Sequence, residues 1–212
     1  MSNSIILVGG GGNCKNVIDI LKDNNNYNEI LISDLKENLG KEILGIRIEY
    51  TDDQLEELYK KGFRNAFVSM GKVKIDDHRK KLFDKIKNIG FNIPIIISNS
   101  ANVSKYSEIG EGTLVGRNTT IKACSKIGKN CIINSGSIIG HDCVIEDNVH
   151  IAPGAILLGG TYIGNNSFVG AGSIIIQNIN ISEDTLIGAG AVVVKDIIEP
   201  GVYVGNPARK IK

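Results

Sequence analysis

The feature that most constrains the fold is a six-residue repeat that begins at Ile97 and runs to about Ile198. The first residue of each six is aliphatic without a break from Ile97 to Val193. The second residue is often Gly, and the fifth is usually Ala, Ser, Thr or Cys. A period of six matches neither an α-helix nor the two-residue alternation of a simple strand. It is typical of a β-solenoid, in which each hexad forms one flat face and three faces close a triangular coil.

The same repeat predicts how the interior of the solenoid is filled. We expect the aliphatic residue to fill a corner of the prism and the small residue to lie beside it, where space is short. Three hexads per coil place residue n beneath residue n+18. Backbone groups then pair with the neighbouring coil, so the sheet hydrogen bonds run along the solenoid axis.

Composition excludes several classes of function. The chain carries 24 basic and 23 acidic residues, a balance that argues against a nucleic-acid partner. Five Phe, six Tyr and no Trp offer few rings for stacking on single strands. The longest apolar runs are far too short for membrane insertion, and the N-terminus lacks a secretory signal pattern. Because the four cysteines lack zinc-ligand spacing, we expect no metal site and a cytoplasmic protein with reduced thiols.

Residues 1 to about 92 follow a different pattern. A short apolar strand, residues 5–8, is followed by Gly9, Gly10, Gly11 and Gly12, then by Asn13 and a helical pattern, and a second strand ends at Asp34. Strand, glycine turn, helix and strand form the opening of a Rossmann-like nucleotide-binding unit. The glycines allow backbone N–H groups to approach a phosphate or sugar, and Asp34 can accept hydrogen bonds from ribose hydroxyls or a base edge. Strict Gly-x-Gly-x-x-Gly spacing is absent, so a simple tight turn is the alternative.

The remainder of this region predicts two more helices and another strand. Residues 52–62 and 76–88 have helical patterns, and a strand over 66–69 leads to Gly71 at its carboxyl end. Gly90 is a plausible helix C-cap. The basic run from Arg79 to Lys81 is expected to lie on a solvated helix face. Residues 93–97 are expected to form a strand that leads into the solenoid.

Inside the repeat, His141 is the most informative departure from the pattern. It is the third residue of its hexad, and the same position holds Ala123 one coil below and Gly159 one coil above. A large imidazole between two very small neighbours predicts an open cleft beside a potential general base. The adjacent Asp142 would orient the ring or favour its protonated form. An ordinary exposed histidine beside an ordinary surface carboxylate is the alternative.

Two further polar residues lie close to His141 in the repeat. Asn134 occupies a column that otherwise holds Gly and Ala, so its amide could bind a substrate or His141. His150 occupies an otherwise apolar column, and a buried structural role is the alternative for it. Small residues in the later coils would let a thin, extended ligand lie along the solenoid: Gly159, Gly170, Ala171 and Ala189. Basic side chains could then contact its phosphates: Lys195, Arg209 and Lys210.

With these motifs, the chain resembles the hexapeptide acyltransferases of the left-handed β-helix class. It shares their repeat, the stretch from Asn134 through His141-Asp142 to His150, and a terminal Gly-Asn-Pro-Ala-Arg that ends at Arg209. The glycine-rich N-terminal domain is similar to that of the nucleotide-amino-sugar N-acetyltransferases and sialic acid O-acetyltransferase-like proteins. The resemblance implies a Rossmann-like nucleotide-sugar-binding domain over residues 1–92 and a left-handed parallel β-helix over residues 93–212.

The resemblance also implies roles for individual residues. His141 would be the general base and Asp142 its support, while Asn134 and His150 would contact the sugar or the base. The glycine turn, Asp34, Gly71 and Lys15 would bind the nucleotide sugar; relatives often have His where this chain has Asn13. Acetyl-CoA would lie between neighbouring solenoids of a homotrimer and would contact the small residues of the later coils, Lys195, Pro207 and Arg209.

The predicted function is acetyl transfer from acetyl-CoA to the amino group of a nucleotide-linked amino-deoxysugar, of the UDP-4-amino-sugar type, in surface glycan biosynthesis. Backbone N–H groups near Gly159 are candidates for stabilising the oxyanion. Two alternatives remain: a sugar (sialic acid) O-acetyltransferase, which uses the same site on a hydroxyl acceptor, and a non-catalytic nucleotide-sugar-binding scaffold.

Overall fold

The computed structural model describes residues 3–72 and 76–212, which form two compact units. The first unit contains the described residues up to Gly71 together with Asp77–Asn99. The second contains Lys72, Asp76 and Ser100–Lys212. This grouping places residues 93–99 with the first unit.

The first unit is an α/β layer built on a parallel sheet. The strands of this sheet are β1 (Ser4–Val8), β2 (Glu29–Asp34), β3 (Glu42–Ile43), β4 (Ile46–Thr51) and β5 (Asn65–Val68); the unit also contains the short β6 (Ile96–Ile97), which is not part of the sheet. The sheet order is β3-β4-β2-β1-β5, with β1 parallel to both β2 and β5. All five residues of β1 are buried because the strand is central. The carboxyl ends of β1, β2 and β5 therefore meet at one edge, as expected for a nucleotide-binding unit.

The helices confirm most of the predicted pattern in this unit. They are α1 (Gly12–Asn24), α2 (Leu55–Lys60) and α3 (His78–Ile89), with 3₁₀ turns at Lys36–Asn38 and Asp52–Gln54. The start of the predicted helix over 52–62 is the second 3₁₀ turn, which a capping box between Thr51 and Gln54 stabilises. Gly90 is the left-handed C-cap of α3, with φ 103°, as predicted.

The hairpin of β3 and β4 is an element that the sequence analysis missed. These strands are antiparallel and pair Ile43 with Ile46. Their turn residues, Leu44 and Gly45, both have positive φ, 48° and 81°. That conformation suits a tight two-residue turn, but Leu-Gly lacks the Asn-Gly or Asp-Gly signature that would have revealed it.

The predicted solvated face of α3 is wrong at Arg79. This side chain is only 3% exposed. Its Nη1 donates to the carbonyl of Val68 at 2.6 Å and to that of Met70 at 2.5 Å. These carbonyls lie at the end of β5 and just beyond it, where strand pairing stops, so the buried guanidinium satisfies them. The following Lys80 and Lys81 are exposed, as expected.

The second unit is a triangular β-helix with three flat faces. Face 1 consists of β7 (Asn102–Val103), β10 (Thr120–Ile121), β13 (Ile138–Ile139), β16 (Ile156–Leu157), β19 (Ile174–Ile175) and β22 (Val192–Val193). Face 2 consists of β8 (Glu108–Ile109), β11 (Lys126–Ile127), β14 (Val144–Ile145), β17 (Tyr162–Ile163) and β20 (Asn180–Ile181). Face 3 contains β9 (Leu114–Val115), β12 (Ile132–Ile133), β15 (His150–Ile151), β18 (Phe168–Val169), β21 (Thr185–Ile187), β23 (Gly201–Val204) and β24 (Arg209–Lys210).

The register of the coils confirms the three-hexad repeat. Ile133 pairs with Ile151, and Ile151 pairs with Val169, in parallel ladders. The aliphatic residue of each hexad is buried from Val115 to Val193, and the small fifth residues such as Ser137 and Thr161 have no exposed surface. The hydrophobic core therefore continues from one coil to the next along the axis.

The corners of the prism differ from the prediction. The aliphatic residue ends a two-residue strand on a flat face, and the third and fourth residues of the hexad form the corner turn. The fourth residue has positive φ in coil after coil, and is Asn, Gly, Asp or once Cys: Gly112, Asn118, Cys124, Asn130, Gly136, Asp142, Asn148, Gly154, Gly160, Asn166, Gly172, Asn178, Asp184 and Gly190. Gly, Asn and Asp tolerate the left-handed region best, so this column marks the corners.

The C-terminal segment covers the last coil of the stack. Residue Ile197 bridges Ile181 at the end of face 2. Gly205 and Ala208 form backbone hydrogen bonds with Val192 at the end of face 1. On face 3, β23 pairs with β21 and is itself covered by the antiparallel β24. Each face therefore ends against this segment. Among residues 3–72 and 76–212, none of the helices has the length and apolarity needed to cross a bilayer.

Thiol reactivity is expected to report this packing. Cys14, Cys131 and Cys143 are buried, whereas Cys124 is exposed. Burial raises the pKa of the Cys14 thiol to about 11 and also raises the pKa of Cys143. Since a raised pKa keeps a thiol protonated, reactive thiolate at Cys14 is scarce at pH 8 and grows only as the pH approaches that value. We expect an alkylating reagent at pH 8 to label Cys124 alone in the native protein, as judged by peptide mass spectrometry. Fast native labelling of Cys14 would contradict this packing.

Candidate active site

His141 lies at the corner between face 1 and face 2, between β13 and β14. Its Nδ1 lies 2.6 Å from Oδ2 of Asp142, and the two side chains are 66% and 62% exposed. Asp142 is the left-handed corner residue, with φ 58°. One residue thus shapes the turn and contacts the imidazole, in agreement with the predicted orientation of the ring by Asp142; a role for the pair in catalysis stays a prediction.

The coil above provides the space that the histidine needs. A Cβ atom placed on Gly159 would lie 2.6 Å from both Cε1 and Nε2 of His141. That separation is far below van der Waals contact, so the ring occupies the volume that any other side chain would fill. The glycine predicted from the repeat column is therefore directly beside the ring, and the ring remains open to solvent.

The contact with Asp142 determines which nitrogen of His141 can act as a base. A carboxylate accepts hydrogen bonds, so in the neutral ring Nδ1 carries the proton and Nε2 carries the lone pair. Nε2 is the nitrogen beside Gly159. In the part of the chain that the structure describes, the backbone N–H of Gly159 has no hydrogen-bond partner. A proton acceptor and a hydrogen-bond donor thus lie at one corner.

Asn134 and His150 form a separate pair on face 3. Asn134 Nδ2 lies 3.3 Å from His150 Nε2, so the amide contacts His150 and not His141. His150 is only 7% exposed, and its ring packs edge-on against Phe168 with 5.0 Å between centroids. The structure thus agrees with the alternative of a buried His150. Whether the pair touches substrate remains a prediction.

The glycine turn of the first unit lies at the carboxyl edge of its sheet. Gly9 has φ 99°, and a Cβ on Gly10 would lie 2.8 Å from Asp34 Oδ2, so both positions require glycine. The N–H of Gly10 donates to that same oxygen at 2.8 Å. Gly11 caps α1 and Gly12 begins it, and a Cβ on either would meet nothing within 4 Å. The positive end of a 13-residue helix therefore faces open space.

The other predicted residues of this edge lie beside the turn. Asn13 Nδ2 donates to the carbonyl of Ser69 at 3.2 Å. A Cβ on Gly71 would lie 3.3 Å from Asn13 Cβ, so these two residues are neighbours. Lys15 is exposed on the first turn of α1, and Asp34 is half-buried at the end of β2. The structure therefore brings the predicted nucleotide-binding residues together on one edge.

The predicted cofactor residues are more dispersed. Gly170 is buried, and a Cβ there would lie 2.5 Å from the backbone nitrogen of Ala189, so close stacking of coils already requires glycine. Exposed residues of this set are Ala171, Ala189, Lys195, Pro207 and Arg209. Lys210 Nζ is paired with Glu199 at 2.9 Å. Within the described residues, no cluster of His, Cys, Asp and Glu is arranged to hold a metal ion.

Two protein-family models match the chain. The model for the PglD N-terminal domain matches residues 4–86. The model for the bacterial transferase hexapeptide (six repeats) matches residues 106–141, 124–159 and 142–177. A search of curated proteins finds no match.

Several solved structures share the fold over nearly the whole chain. A histidine-to-asparagine variant of perosamine N-acetyltransferase from Caulobacter crescentus, in complex with CoA and GDP-perosamine, is 32% identical, with a TM-score of 0.91 over 99% of this chain and 97% of that chain. The acetyltransferase domain of PglB from Neisseria gonorrhoeae FA1090, in complex with acetyl coenzyme A, is 30% identical, with a TM-score of 0.92 over 100% of both chains. WeeI from Acinetobacter baumannii AYE is 26% identical, with a TM-score of 0.86 over 98% and 99%.

The repeat, the glycine-turn unit and the corner histidine define a transferase built on a hexapeptide-repeat β-helix. Within that class, the chain belongs to the sugar N-acetyltransferases of the left-handed β-helix family that carry a PglD-type N-terminal domain. The predicted fold class and enzyme class are thereby confirmed.

Proposed function

We propose that the protein transfers an acetyl group from acetyl-CoA to the amino group of a nucleotide-linked amino-deoxysugar, with His141 as general base. The observation that carries this proposal is the corner geometry: Nδ1 of His141 is held by Asp142 at 2.6 Å, and Nε2 lies beside Gly159 on a ring that is open to solvent. A neutral amine attacking a thioester needs such a base in such an open place.

In the proposed mechanism, the sugar amine attacks the thioester carbonyl carbon while Nε2 of His141 takes the amine proton. The Asp142 carboxylate stabilises the resulting imidazolium. The N–H of Gly159 donates to the oxyanion of the tetrahedral intermediate. Collapse of the intermediate breaks the carbon–sulfur bond, and the imidazolium returns the proton to the departing CoA thiolate. The products are the N-acetylated sugar and CoA, and the base is regenerated.

The nucleotide would bind at the glycine turn of the first unit. The N–H groups at the start of α1 and the positive end of its dipole favour a phosphate there. The remaining lone pairs of Asp34 would accept hydrogen bonds from a ribose or base. The complex of perosamine N-acetyltransferase with GDP-perosamine supports a nucleotide-linked amino sugar as the substrate class. A UDP-linked 4-amino sugar, a role in surface glycan biosynthesis and a cytoplasmic location stay predictions.

A panel of ligands tests this proposal. Thermal unfolding would be measured with acetyl-CoA and with UDP-, dTDP- and GDP-linked amino sugars. A ligand that binds only the native state raises the free energy of unfolding by RT ln(1 + [L]/Kd), where [L] is the free ligand concentration. We expect one nucleotide series to raise the midpoint, and we expect CoA release when its amino sugar is added with acetyl-CoA. Acetylation of a hydroxyl but not of an amine would favour the sialic acid O-acetyltransferase alternative. Binding without CoA release would favour the non-catalytic scaffold.

We further propose a homotrimer that buries the outer side of face 1. This side carries an apolar stripe in which Ile138, Leu158 and Val194 are 37%, 38% and 38% exposed. An exposed apolar surface of this kind marks an interaction site. Subunits that are related by a rotation of 120° through such an interface form a closed trimer. Because His141 lies two residues beyond the end of β13 of this face, a subunit interface here would bring a second chain beside the catalytic corner and form the acetyl-CoA cleft.

The trimer can be tested with two matched substitutions. Ile156→Asp places a charge in the stripe on face 1, and Val144→Asp places one at the same strand position on face 2. Both side chains are half-buried. We expect light scattering to show dissociation for Ile156→Asp and an unchanged trimer for Val144→Asp. A monomeric wild-type protein, or a trimer that survives Ile156→Asp, would exclude this interface.

A further inference from the structure

Lys72 is a buried cation outside the site described so far. It belongs to the second unit and is only 4% exposed. Its Nζ donates to the carbonyl of Asn148 at 3.1 Å and to the carbonyl of Asn166 at 2.6 Å, and it also contacts Oδ1 of Asn166. An ammonium group has three donors, and these three oxygens satisfy them. Burial of this charge on the corner carbonyls of the β-helix fixes the position of residue 72.

The backbone of Lys72 determines the state of His150. The carbonyl oxygen of Lys72 lies 2.6 Å from His150 Nδ1. A carbonyl oxygen only accepts hydrogen bonds, so Nδ1 carries a proton. The other ring nitrogen, Nε2, lies 3.3 Å from Nδ2 of Asn134, which is a donor. Nε2 therefore acts as an acceptor, and His150 is a neutral imidazole with a single tautomer.

The orientation of the Asn134 amide agrees with this assignment. Its Oδ1 accepts a hydrogen bond from the N–H of Ser135 at 2.8 Å, so Nδ2 must face His150. One N–H of that group is used on the imidazole, and the amide keeps a second N–H. Asn134 is only partly buried, so this N–H is within reach of a ligand.

We propose that Lys72 is a positioning residue that acts through His150 to aim the Asn134 amide at an oxygen atom of the sugar substrate. The ammonium anchors the Lys72 carbonyl, the carbonyl fixes the tautomer and ring of His150, and the ring fixes the direction of the second Asn134 N–H. The proton acceptor for the reaction is His141, and the role of His150 is to hold the Asn134 amide. The kinetic part of this inference rests on the proposed function, whereas the tautomer of His150 does not.

Nitrogen NMR of the histidine rings tests the first link. The chain has three histidines, so a His150→Phe variant assigns the signals of His150. We expect wild-type His150 to show one protonated Nδ1 and one unprotonated Nε2 at neutral pH. In Lys72→Met, which keeps the backbone carbonyl and the side-chain length but removes the ammonium, we expect a mixture of tautomers. A wild-type proton on Nε2, or an unchanged His150 spectrum in Lys72→Met, would overturn the proposal.

Steady-state kinetics test the step from His150 through the Asn134 amide to binding of the sugar. Loss of one oriented hydrogen bond corresponds to roughly a tenfold weaker affinity, so Lys72→Met should raise KM for the amino sugar about tenfold, with kcat and KM for acetyl-CoA nearly unchanged. In a His150→Phe background the same substitution should add nothing, because its effect passes through the ring. Independent, additive effects would show that Lys72 is only structural.

A milder pair of variants guards against misfolding. Asn166→Gly removes one oxygen that Lys72 contacts and suits the φ of 60° at that corner, and Asn118→Gly makes the same change at a corner with φ 55°. We expect Asn166→Gly to shift the His150 spectrum and to raise KM less than Lys72→Met does, and Asn118→Gly to change neither. If no amino sugar is turned over, the proposed function fails, and the NMR result still decides the link between Lys72 and His150.

Discussion

Replacing His141 by alanine is expected to lower kcat by at least about a hundredfold, the usual minimum contribution of a general base. The reason is that Nε2 beside Gly159 is the proton acceptor which the geometry offers to an incoming amine. Turnover would be followed as release of the CoA thiol and as the mass of the acetylated sugar. Because the His141 side chain is 66% exposed, its loss should leave the thermal midpoint and the affinity for CoA close to wild type.

A histidine control separates chemistry from general damage. His78 is exposed at the start of α3, in the first unit, and we assign it no role. His78→Ala should keep wild-type turnover under the same conditions. Near-normal turnover by His141→Ala, with intact binding of both substrates, would refute the assignment of the base.

The second large effect is expected from Gly159→Ala. The added methyl group would lie 2.6 Å from the His141 ring, so the imidazole must move away from its present position. Displacement of a catalytic group by about 1 Å can cost roughly a hundredfold in rate. We therefore expect a fall in kcat of about that size, while the oligomeric state stays unchanged.

The control for this variant lies one coil above. Gln177 is exposed and occupies the same repeat column as Gly159, so Gln177→Ala introduces the same residue without touching the ring. It should retain wild-type turnover. A structure of Gly159→Ala would be expected to show a rotated His141 ring, and an unmoved ring with full activity would show that the empty space at Gly159 is not needed.

The repeat predicted the β-helix because a single rule applies at every coil. Residue n lies beneath residue n+18, so the proximity of His141 to Gly159 followed from counting. The prediction that the aliphatic residues fill the corners was wrong because a repeat period gives only the spacing of the turns. It does not say at which of the six residues the chain turns. Asn and Gly at the fourth position of the hexad indicate where the chain turns, since the corner requires positive φ.

The repeat also predicts only the neighbours that lie directly above and below a residue, eighteen positions away in sequence. Asn134 and His150 lie on the same face, one coil apart and in different columns, where side chains meet diagonally. Their pairing was therefore missed, although both positions point outward. Lys72 received no predicted role and Arg79 was placed wrongly on a solvated face, because most of their hydrogen-bond partners are backbone carbonyls, which every residue carries. Such contacts have no sequence signature.

The covered last coil determines where the stack can end. A parallel coil with bare N–H and C=O groups on three sides would invite another molecule to add to it, in the manner of an exposed sheet edge. The C-terminal segment forms hydrogen bonds with the last strands through Ile197, Gly205, Ala208 and β24. Another molecule therefore cannot extend the β-helix by pairing with its last coil. The tail thus blocks end-to-end stacking of coils, and the trimer that we propose would assemble sideways, through the flat face beside His141.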